Sequence, residues 1–313
     1  MITGEKMRIT LITLVLAATV LTGNLMAAGS GTSSGTTLLQ PVSAKSAGTA
    51  EACTALSGDI ICLHYNPAGL ASLKAQDVSM MYQLGVAGDS FGAVIYGKNM
   101  SFANIGASLL YYNTGVIQIE DTNGDLLNEV GQSDLILTVG AAKKLSNFSA
   151  GLGIKAITSQ IFGKGAAAVA VDIGGLYEGV QIAGGDVNFG ISVQNLGTKL
   201  TYGGTPELLP LKLRFGASYS KTLNTGKVIN GYLDFPYLIY DKMFLAQLGA
   251  EYMFNSTTFG RIGYRYNVNS PETEMEPFCL GFGVVKEKFT VDYSFSITKG
   301  IGIPHRLSIR LKI

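Results

Sequence analysis

The chain has 313 residues, a formal net charge of +1, only 14% charged residues and 40 glycines, with a mean hydropathy of +0.29. A soluble protein of this size needs a charged surface, and this composition cannot supply one. The composition also disfavours nucleic-acid binding, which needs a basic face, and intrinsic disorder, which needs fewer apolar residues. Beyond the N-terminus no apolar run approaches the roughly 18–20 residues of a membrane-spanning helix, so we expect membrane β-structure.

Residues 1–28 have the order of a secretory signal peptide. Lys6 and Arg8 precede an apolar core at 9–21, and small residues follow it. The core is about 13 residues long, which is too short to span a bilayer comfortably. The first cysteine is Cys53, too far away for a lipoprotein anchor. We therefore expect an exported protein whose mature chain starts near residue 28.

Residues 29–74 precede the first regular β-pattern. The stretch at 29–50 is rich in Gly, Ser, Thr and Ala, a composition that predicts a flexible leader. Further along, Pro67 fixes φ and lacks an N–H, so its surroundings cannot form a helix interior or a central strand. Asn66 and Gly69 suit a tight turn that satisfies its own backbone.

Residues 75–313 are dominated by a period of two. In 289–297 and 306–313, apolar side chains alternate strictly with polar ones. Such alternation predicts strands with one apolar and one polar face. The same pattern recurs at 102–111, 134–141, 150–156, 167–177, 187–193, 211–219, 244–254, 258–266 and 278–284.

Two architectures produce this alternation: a β-sandwich with apolar faces inward, or a transmembrane barrel with apolar faces toward lipid. The polar faces carry Gly, Ser, Thr, Asn and Ala but few charges, too few for the outside of a large soluble sheet. Segments of about ten residues match a tilted membrane-crossing strand. The 15 Tyr and 14 Phe can form the interfacial aromatic belts. We therefore predict an all-β chain folded as a transmembrane antiparallel barrel of about 14 strands, with 12 as the alternative.

A motif in the N-terminal region indicates a family. Ala47-Gly48, Asp59 and Tyr65 lead into Asn66-Pro67-Ala68-Gly69-Leu70. This order resembles the N-terminal signature of the PorV/PorQ-like outer-membrane proteins, which are related to the long-chain fatty-acid transporter (FadL) family. Further matches follow in sequence order, at Asp134, Asp172–Tyr177, Val193–Gly197, Leu209-Pro210 and His305-Arg306. Cys53 and Ile313 depart from the pattern, since the family usually has aromatic residues there.

The resemblance implies a fourteen-stranded barrel with residues 29–74 contributing a short hatch, or plug, inside the lumen. In the fatty-acid transporters, apolar substrates bind inside and leave sideways through the wall. PorV-like members instead include a component of type IX secretion that handles protein cargo. The residues expected to form and gate the hatch are Asp59, Tyr65, Asn66, Pro67, Ala68 and Gly69. The alternative is that the Asn-Pro-Ala-Gly motif is only a turn before the first strand.

The same alternation places a set of charged side chains on the lumen face. One interpretation is a basic interior that holds a carboxylate head or an acidic hatch residue such as Glu51 or Asp59. The other is a packed network of ion pairs, because buried charges usually pair. The residues concerned are Lys155, Asp172, Lys212, Arg214, Glu251, Arg261, Arg265, Asp292, Arg306, Arg310 and Lys312.

Little in the sequence suggests catalysis or a cofactor. Only His64 and His305 are available as histidine bases, and no spacing gives either an acidic orienter. The segment 121–125 begins like a calcium loop but lacks the glycine and glutamate that the loop needs, so it predicts a hairpin turn. Cys53 and Cys62 either form a disulfide or remain buried thiols, and we favour thiols. We predict no enzyme, metal or cofactor.

These observations leave two functions. The first is passive transport of small hydrophobic molecules, such as fatty acids, across the outer membrane. The second is a PorV-like secretion component that binds protein partners. In both cases we expect the outer membrane of a Gram-negative-type bacterium after signal-peptide cleavage. The expected partners are outer-membrane lipid, the barrel-assembly machinery, hydrophobic small molecules and secretion-system proteins, with no nucleic acid.

Overall fold

The structure is a computed structural model that describes residues 33–85, 88–120, 126–270, 277–297 and 302–313. The predicted signal peptide at 1–28 and the predicted turn at 121–125 lie outside the described residues. Within the described residues, no helix is long and apolar enough to cross a membrane.

Strands dominate the fold from residue 77 onward. Their bounds are β1 Asp77–Leu84, β2 Ser90–Lys98, β3 Asn104–Asn113, β4 Ile117–Glu120, β5 Leu126–Val130, β6 Gln132–Leu145, β7 Phe148–Ile161, β8 Lys164–Ile182, β9 Gly185–Gly197, β10 Leu200–Tyr202, β11 Thr205–Glu207, β12 Lys212–Thr222, β13 Val228–Leu238, β14 Met243–Asn255, β15 Thr258–Asn267, β16 Phe278–Lys286, β17 Phe289–Ile297 and β18 His305–Lys312. Fourteen of them form one closed antiparallel barrel, while β4–β5 and β10–β11 form two small separate hairpins.

The barrel closes between its first and last strands. β1 pairs with β2 on one side and with β18 on the other, where Asp77 lies opposite Lys312 and Leu84 opposite His305. Every barrel strand therefore has two neighbours, which removes the unpaired edges that lipid does not tolerate. The predicted barrel is confirmed with fourteen strands, and the twelve-stranded alternative is wrong.

The two faces of the wall follow the alternation in the sequence. In β17, Val291 and Tyr293 are exposed outward, whereas Asp292 and Ser294 are buried inward. In β7, Ile154 is 47% exposed and its neighbour Lys155 is 1% exposed. The apolar rows therefore form the outer surface of the barrel, as a lipid-facing wall requires.

The two ends of the barrel differ. At the end where β1 begins and β18 finishes, the strands are joined by short connections, such as 146–147 between β6 and β7. At the opposite end most connections are longer, although β7 and β8 are joined by residues 162–163 alone, and both small hairpins lie there, between β3 and β6 and between β9 and β12. Short turns on one side and longer loops on the other are typical of outer-membrane barrels, with the short turns on the periplasmic side. We refer to these as the short-turn end and the long-loop end.

Residues 33–73, here called the inner segment, lie within the barrel. The segment contains short helices at Thr36–Leu39, Ala44–Gly48, Cys62–Tyr65 and Pro67–Ser72. It starts at the long-loop end, where Ser33 Oγ donates to Asp241 at 2.6 Å. It finishes at the short-turn end, where the Leu73 carbonyl accepts a hydrogen bond from Asn99 at 2.8 Å.

The part of the chain expected to be a flexible leader is folded from residue 33 onward. Ser43 caps the helix Ala44–Gly48 by accepting from the Ser46 amide at 3.0 Å. Ala44, Ser46 and Ala47 are all buried. The small side chains that suggested flexibility instead let the backbone pack closely in the narrow lumen.

Candidate functional site

Asn66 anchors the inner segment to the barrel wall. Its side chain is completely buried and donates to the Thr54 carbonyl at 2.7 Å and to the Gly175 carbonyl at 3.0 Å. Its Oδ1 accepts from the Ala68 amide at 3.2 Å, which caps the 3-10 helix Pro67–Ser72. The predicted turn at Asn66 is therefore part of a buried anchor, and Pro67 occupies a first-turn position where no N–H is required.

Glycines on the inner face of the strands form the bed on which the inner segment rests. A Cβ added to Gly151 would lie 2.6 Å from the Pro67 carbonyl oxygen, and one added to Gly174 would lie 3.1 Å from the Ala68 amide nitrogen. Comparable backbone contacts involve Gly190, Gly249, Gly263 and Gly281. Because the backbones touch, any side chain at these positions would displace the segment.

Gly69 plays the same part inside the segment. A Cβ at this position would lie 2.6 Å from Cys62 Sγ and closer still to the Leu56 carbonyl oxygen. Its own backbone carbonyl accepts from the Gly58 amide at 2.9 Å. Ala68, beside it, is completely buried. The Pro-Ala-Gly motif is therefore required by close approach, and the need for Gly69 is steric.

Tyr65 joins the segment to lumen charges. Its hydroxyl donates to Glu51 Oε2 at 3.2 Å, and the Arg214 guanidinium lies 5.2 Å from the ring centroid. Its backbone carbonyl accepts from Ser192 at 2.8 Å and from Gln194 at 3.0 Å, both on β9. These contacts fix the ring between a cation and a carboxylate.

Asp59 is held between two cations. Its Oδ2 lies 2.9 Å from Lys45 Nζ and 2.9 Å from Arg310 Nη1. Arg310 also bonds to Asp77, where the barrel closes. Burial alone would raise the pKa of Asp59, but Arg310 and Lys45 outweigh it and hold that pKa well below its ordinary value. Asp59 is therefore ionised and ties the segment to the β1–β18 seam.

Arg214 forms the most connected lumen site. Its guanidinium bonds to Asp234 and Thr54 Oγ1, both at 2.7 Å, to the Glu51 carbonyl at 2.6 Å and to Gln247 at 3.2 Å. Thr54 also donates to Asp234 at 2.6 Å. One arginine thus connects three barrel strands with the inner segment, and the buried charge is balanced by Asp234.

Other predicted lumen charges form three smaller groups. Arg261 bridges Glu251 at 2.5 Å and Asp292 at 2.6 Å. Arg265 pairs with Glu51 of the inner segment. In each group a cation on one strand meets a carboxylate on another element, so the charges are neutralised where they are buried.

Lys155 lies 2.7 Å from Asp172 and donates to Asn195 Oδ1 at 2.6 Å. The Asn195 amide donates to Asp172 at 2.8 Å, beside a bulge between β8 and β9, and Asn195 has φ of 62°. Asn195 is therefore held in the left-handed region by the same two residues. The structure thus unites Asp172 and the Val193–Gly197 motif in one bulge.

Lys212 differs from the rest of the set. It is 7% exposed and makes no ion pair with any described residue, although Glu51 lies close enough to interact electrostatically. Arg306 is buried and bonds to Gln83 and Ser296, whereas Lys312 is exposed at the short-turn end. The structure therefore places most of the predicted charges in several separate groups of ion pairs, and among the described residues it leaves Lys212 and Lys312 outside them.

Sequence reasoning did not identify three features of this site. Asp234 was missed although it alternates with Leu233 and Phe235, so its parity alone places it inward. The glycine bed was missed because nothing in the sequence says which glycines meet another backbone. The third is an apolar lumen wall, formed by inward residues of four neighbouring strands: Phe91, Ala93, Ile95, Leu110, Ile136 and Ile157.

The apolar wall packs against the inner segment. Phe91, Ile95 and Ile136 belong to the same buried cluster as Leu38 and Val42 of that segment. The lumen therefore has a mainly apolar side on β2, β3, β6 and β7, where Asp134 and Lys155 are the buried charges among the described residues, and a charged side on the strands from β12 to β18.

The histidines and cysteines form no catalytic arrangement in the described part of the chain. His64 is buried edge-on against Tyr65, and burial followed by nearby lysines holds its pKa well below the ordinary value. His305 is exposed, with Nδ1 2.5 Å from the Tyr293 hydroxyl. Cys53 and Cys62 are both buried and form no disulfide with each other, so they are thiols. Among the described residues no group of three His, Cys, Asp or Glu could hold a metal.

Comparison with known proteins identifies the family. A sequence model described as "Type IX secretion system protein PorV" matches residues 29–241, which is more than half of the chain. The chain belongs to the PorV family. No curated protein sequence matches it.

Solved structures similar to this PorV-family chain confirm the fold. The toluene transporter TodX of Pseudomonas putida superposes with a TM-score of 0.59 and 11% identity, covering 86% of this chain and 96% of that one. The toluene transporter TbuX of Ralstonia pickettii gives 0.59 and 12%, covering 87% and 98%. A FadL homologue of Pseudomonas aeruginosa gives 0.53 and 10%, covering 87% and 98%. The chain therefore has the fold of an outer-membrane barrel of the FadL type.

Proposed function

We propose that this PorV-family chain carries small hydrophobic molecules, such as fatty acids, passively across the outer membrane. The observation that carries the proposal is the apolar lumen wall covered by Leu38 and Val42 of the inner segment. If the segment moves, that wall becomes a surface on which an apolar molecule gains hydrophobic free energy by leaving water. Two barrels of similar fold are named as toluene transporters, which supports a hydrophobic cargo.

The inner segment is the hatch of this proposal. Asp59, Tyr65 and Asn66 bind it to the charged side of the lumen and to the glycine bed. Pro67, Ala68 and Gly69 shape the turn that touches Gly151 and Gly174. All these contacts are side-chain or steric contacts outside the barrel's own pairing. The hatch can therefore move while the barrel hydrogen bonds stay intact.

A second candidate is a component of type IX protein secretion. The observation that favours it is the family description itself, matched over 29–241. In that role the long-loop end would bind protein partners and the hatch would stay closed. Both candidates place the mature protein in the outer membrane, after removal of residues 1–28 and insertion by the barrel-assembly machinery. Neither requires an enzyme activity.

A reconstitution experiment separates the two. The purified barrel in liposomes should take up a fluorescent fatty acid faster than empty liposomes. The double variant Asn66→Ala, Pro67→Ala should raise uptake, because Asn66 loses its bonds to Thr54 and Gly175. The control is Asn113→Ala, since Asn113 is partly exposed at the long-loop end. Transport is rejected in favour of secretion if liposomes with the wild type and liposomes with the double variant both fail to take up the probe, and if the native protein copurifies with secretion subunits.

A further inference from the structure

The charged residues on the outer face of the barrel share one chemistry. Among the described barrel strands, alternation points most acidic and basic side chains into the lumen. The Asp, Glu, Lys and Arg residues that it points outward are all lysines, here called the lysine rim: Lys98, Lys143, Lys221 and Lys286. None of the four pairs with a described carboxylate. Lys221 instead donates to the Ala183 carbonyl at 2.8 Å.

All four lysines lie at the short-turn end. Lys98 is the last residue of β2, and Lys286 is the last residue of β16. Lys143 lies opposite Ala150 beside the β6–β7 turn, and Lys221 lies opposite Ile229 beside the β12–β13 turn. Four further exposed lysines lie at this end, at positions 74, 144, 288 and 312, and Lys144 among them pairs with Glu178. The Lys312 amide donates to the Lys288 carbonyl at 2.9 Å, so these two are neighbours.

At the opposite end, the described strands carry no lysine or arginine on their outer face. The outward rows of the described strands finish there with uncharged residues, for example Leu84 in β1, Tyr111 and Asn113 in β3, and Ile297 in β17. The outward-facing lysines of the described strands therefore lie beside one leaflet of the surrounding membrane and not beside the other.

Each rim lysine continues a lipid-facing row. In β2 the row runs through Val94 and Tyr96 to Lys98, and in β16 through Phe282 and Val284 to Lys286. A lysine in this position lays its apolar stem along the barrel and places its ammonium at the level of the lipid headgroups. Lys143 fits this geometry, because its Nζ lies 4.3 Å from the ring centroid of Phe102, an exposed aromatic residue at the same end. Cation and aromatic side chains together mark the membrane interface.

We propose that the lysine rim binds the phosphate headgroups of anionic phospholipids in the leaflet around the short-turn end. Continuity of the rim with the lipid-facing rows favours lipid over a protein partner, since the ammonium groups begin where the apolar surface stops. A headgroup phosphate is the anion found at that depth, and juxtamembrane cations attract anionic lipid. The proposal is independent of what passes through the lumen.

Native mass spectrometry of the protein released from mixed nanodiscs tests this inference. The discs contain phosphatidylglycerol and phosphatidylcholine in equal amounts, and the retained lipids are counted. We expect phosphatidylglycerol to be retained about fivefold over phosphatidylcholine, the ratio that one lysine near a charged surface provides. The preference should fall steeply at 1 M salt, where the Debye length is about 3 Å.

A matched pair of triple variants locates the binding. Lys98→Gln, Lys143→Gln, Lys286→Gln should abolish the preference. The control Lys164→Gln, Lys199→Gln, Lys242→Gln removes the same charge from exposed positions at the long-loop end and should keep it. Heat-modifiable migration verifies folding of both. If the rim variant does not fold, the salt dependence of the wild type decides.

Three results would overturn the proposal. The first is equal retention of both lipids by the wild type, which would leave an acidic protein as the partner of the rim. The second is a preference that survives in the rim variant. The third is an equal loss in the control variant, which would show a response to net charge without any binding at the rim.

Discussion

The seating of the inner segment on Gly151 can be tested by adding one carbon atom. Gly151→Ala places a Cβ 2.6 Å from the Pro67 carbonyl oxygen and closer still to the Pro67 carbonyl carbon and the Ala68 amide nitrogen. All three are backbone atoms, so no side-chain rotation relieves the overlap. An ordinary contact of about 3.5 Å requires the backbone at Pro67 to move by roughly 1 Å.

Such overpacking costs about 1–3 kcal/mol. This strain is absent when the inner segment is detached from the glycine bed. Gly151→Ala therefore shifts the equilibrium from the seated segment toward the detached one. Within that range, 1 kcal/mol is about a 5-fold change in that population and 2 kcal/mol is about a 30-fold change. The barrel itself should be unaffected, because the added methyl group points into the lumen and the pairing of Gly151 with Ala142 and Gly174 involves only the backbone.

Gly153→Ala is the matched control. Gly153 lies on the same strand and the same face, but a Cβ there would be 3.6 Å from the Asp172 Cβ and 3.9 Å from Thr138 Cγ2, which are ordinary contacts. Hydrogen exchange of the amides at 68–73 is the assay, with the barrel amides as internal reference. We expect faster exchange of those amides in Gly151→Ala and wild-type rates in Gly153→Ala. Equal rates in both variants would refute the seating described here.

Three further predictions concern the wall, the lumen ion pairs and pH. Ile154→Arg places a charge on the outer face near the middle of β7 and should destabilise the folded barrel by about 2–4 kcal/mol. The folded fraction seen by heat-modifiable migration should fall in this variant and stay unchanged in Ile154→Leu. Equal folding of the two variants would contradict the lipid-facing assignment. Glu51→Gln removes the Glu51 carboxylate that pairs with Arg265 and should destabilise seating by about 1–3 kcal/mol. Adding Arg265→Gln should restore part of the loss, and strictly additive effects in the exchange assay would argue against the pair. Because Arg310 holds the pKa of Asp59 below its ordinary value, the stabilisation by this carboxylate is complete above about pH 4 and is lost as the pH falls toward the lowered pKa. After correction for intrinsic rates, amide exchange at 68–73 in the wild type should therefore be nearly constant between about pH 5 and 8. Exchange in Asp59→Asn should be faster at every pH in this range. A rise in the corrected wild-type rate near pH 6 would disprove the role of Asp59.

Much of the wall could be predicted from local sequence. Alternation is a property of consecutive residues, so Phe289 and Val291 are assigned to the outer face and Asp292 to the inner face without knowledge of any neighbour. The scarcity of charge then favours lipid outside the barrel over water. The same parity rule, applied to Asp234 in β13, would have predicted its inward position.

The inner segment shows where local sequence stops being informative. Its Gly, Ser, Thr and Ala residues up to position 50 predicted a flexible leader, but from residue 33 onward the segment is ordered by partners far away in the chain, such as Asp134 for Thr37 and Ser308 for Ala44. Asn66 bonds to Gly175, and Thr54 bonds to Asp234, 180 residues further on. Such contacts exist only after fourteen strands close into a lumen of fixed width.

The sequence by itself therefore determined the class of fold, the two faces of most barrel strands and the family motif at 66–70. The tertiary structure alone decided which inward glycines become a bed, which cation meets which carboxylate, and that one side of the lumen is apolar. The physical reason is that facing and hydropathy are set by adjacent residues, whereas closeness across the lumen depends on strand register and barrel closure. Gly151 shows the difference: a Cβ there is compatible with the strand, and it conflicts with the backbone of Pro67 and Ala68 in the inner segment.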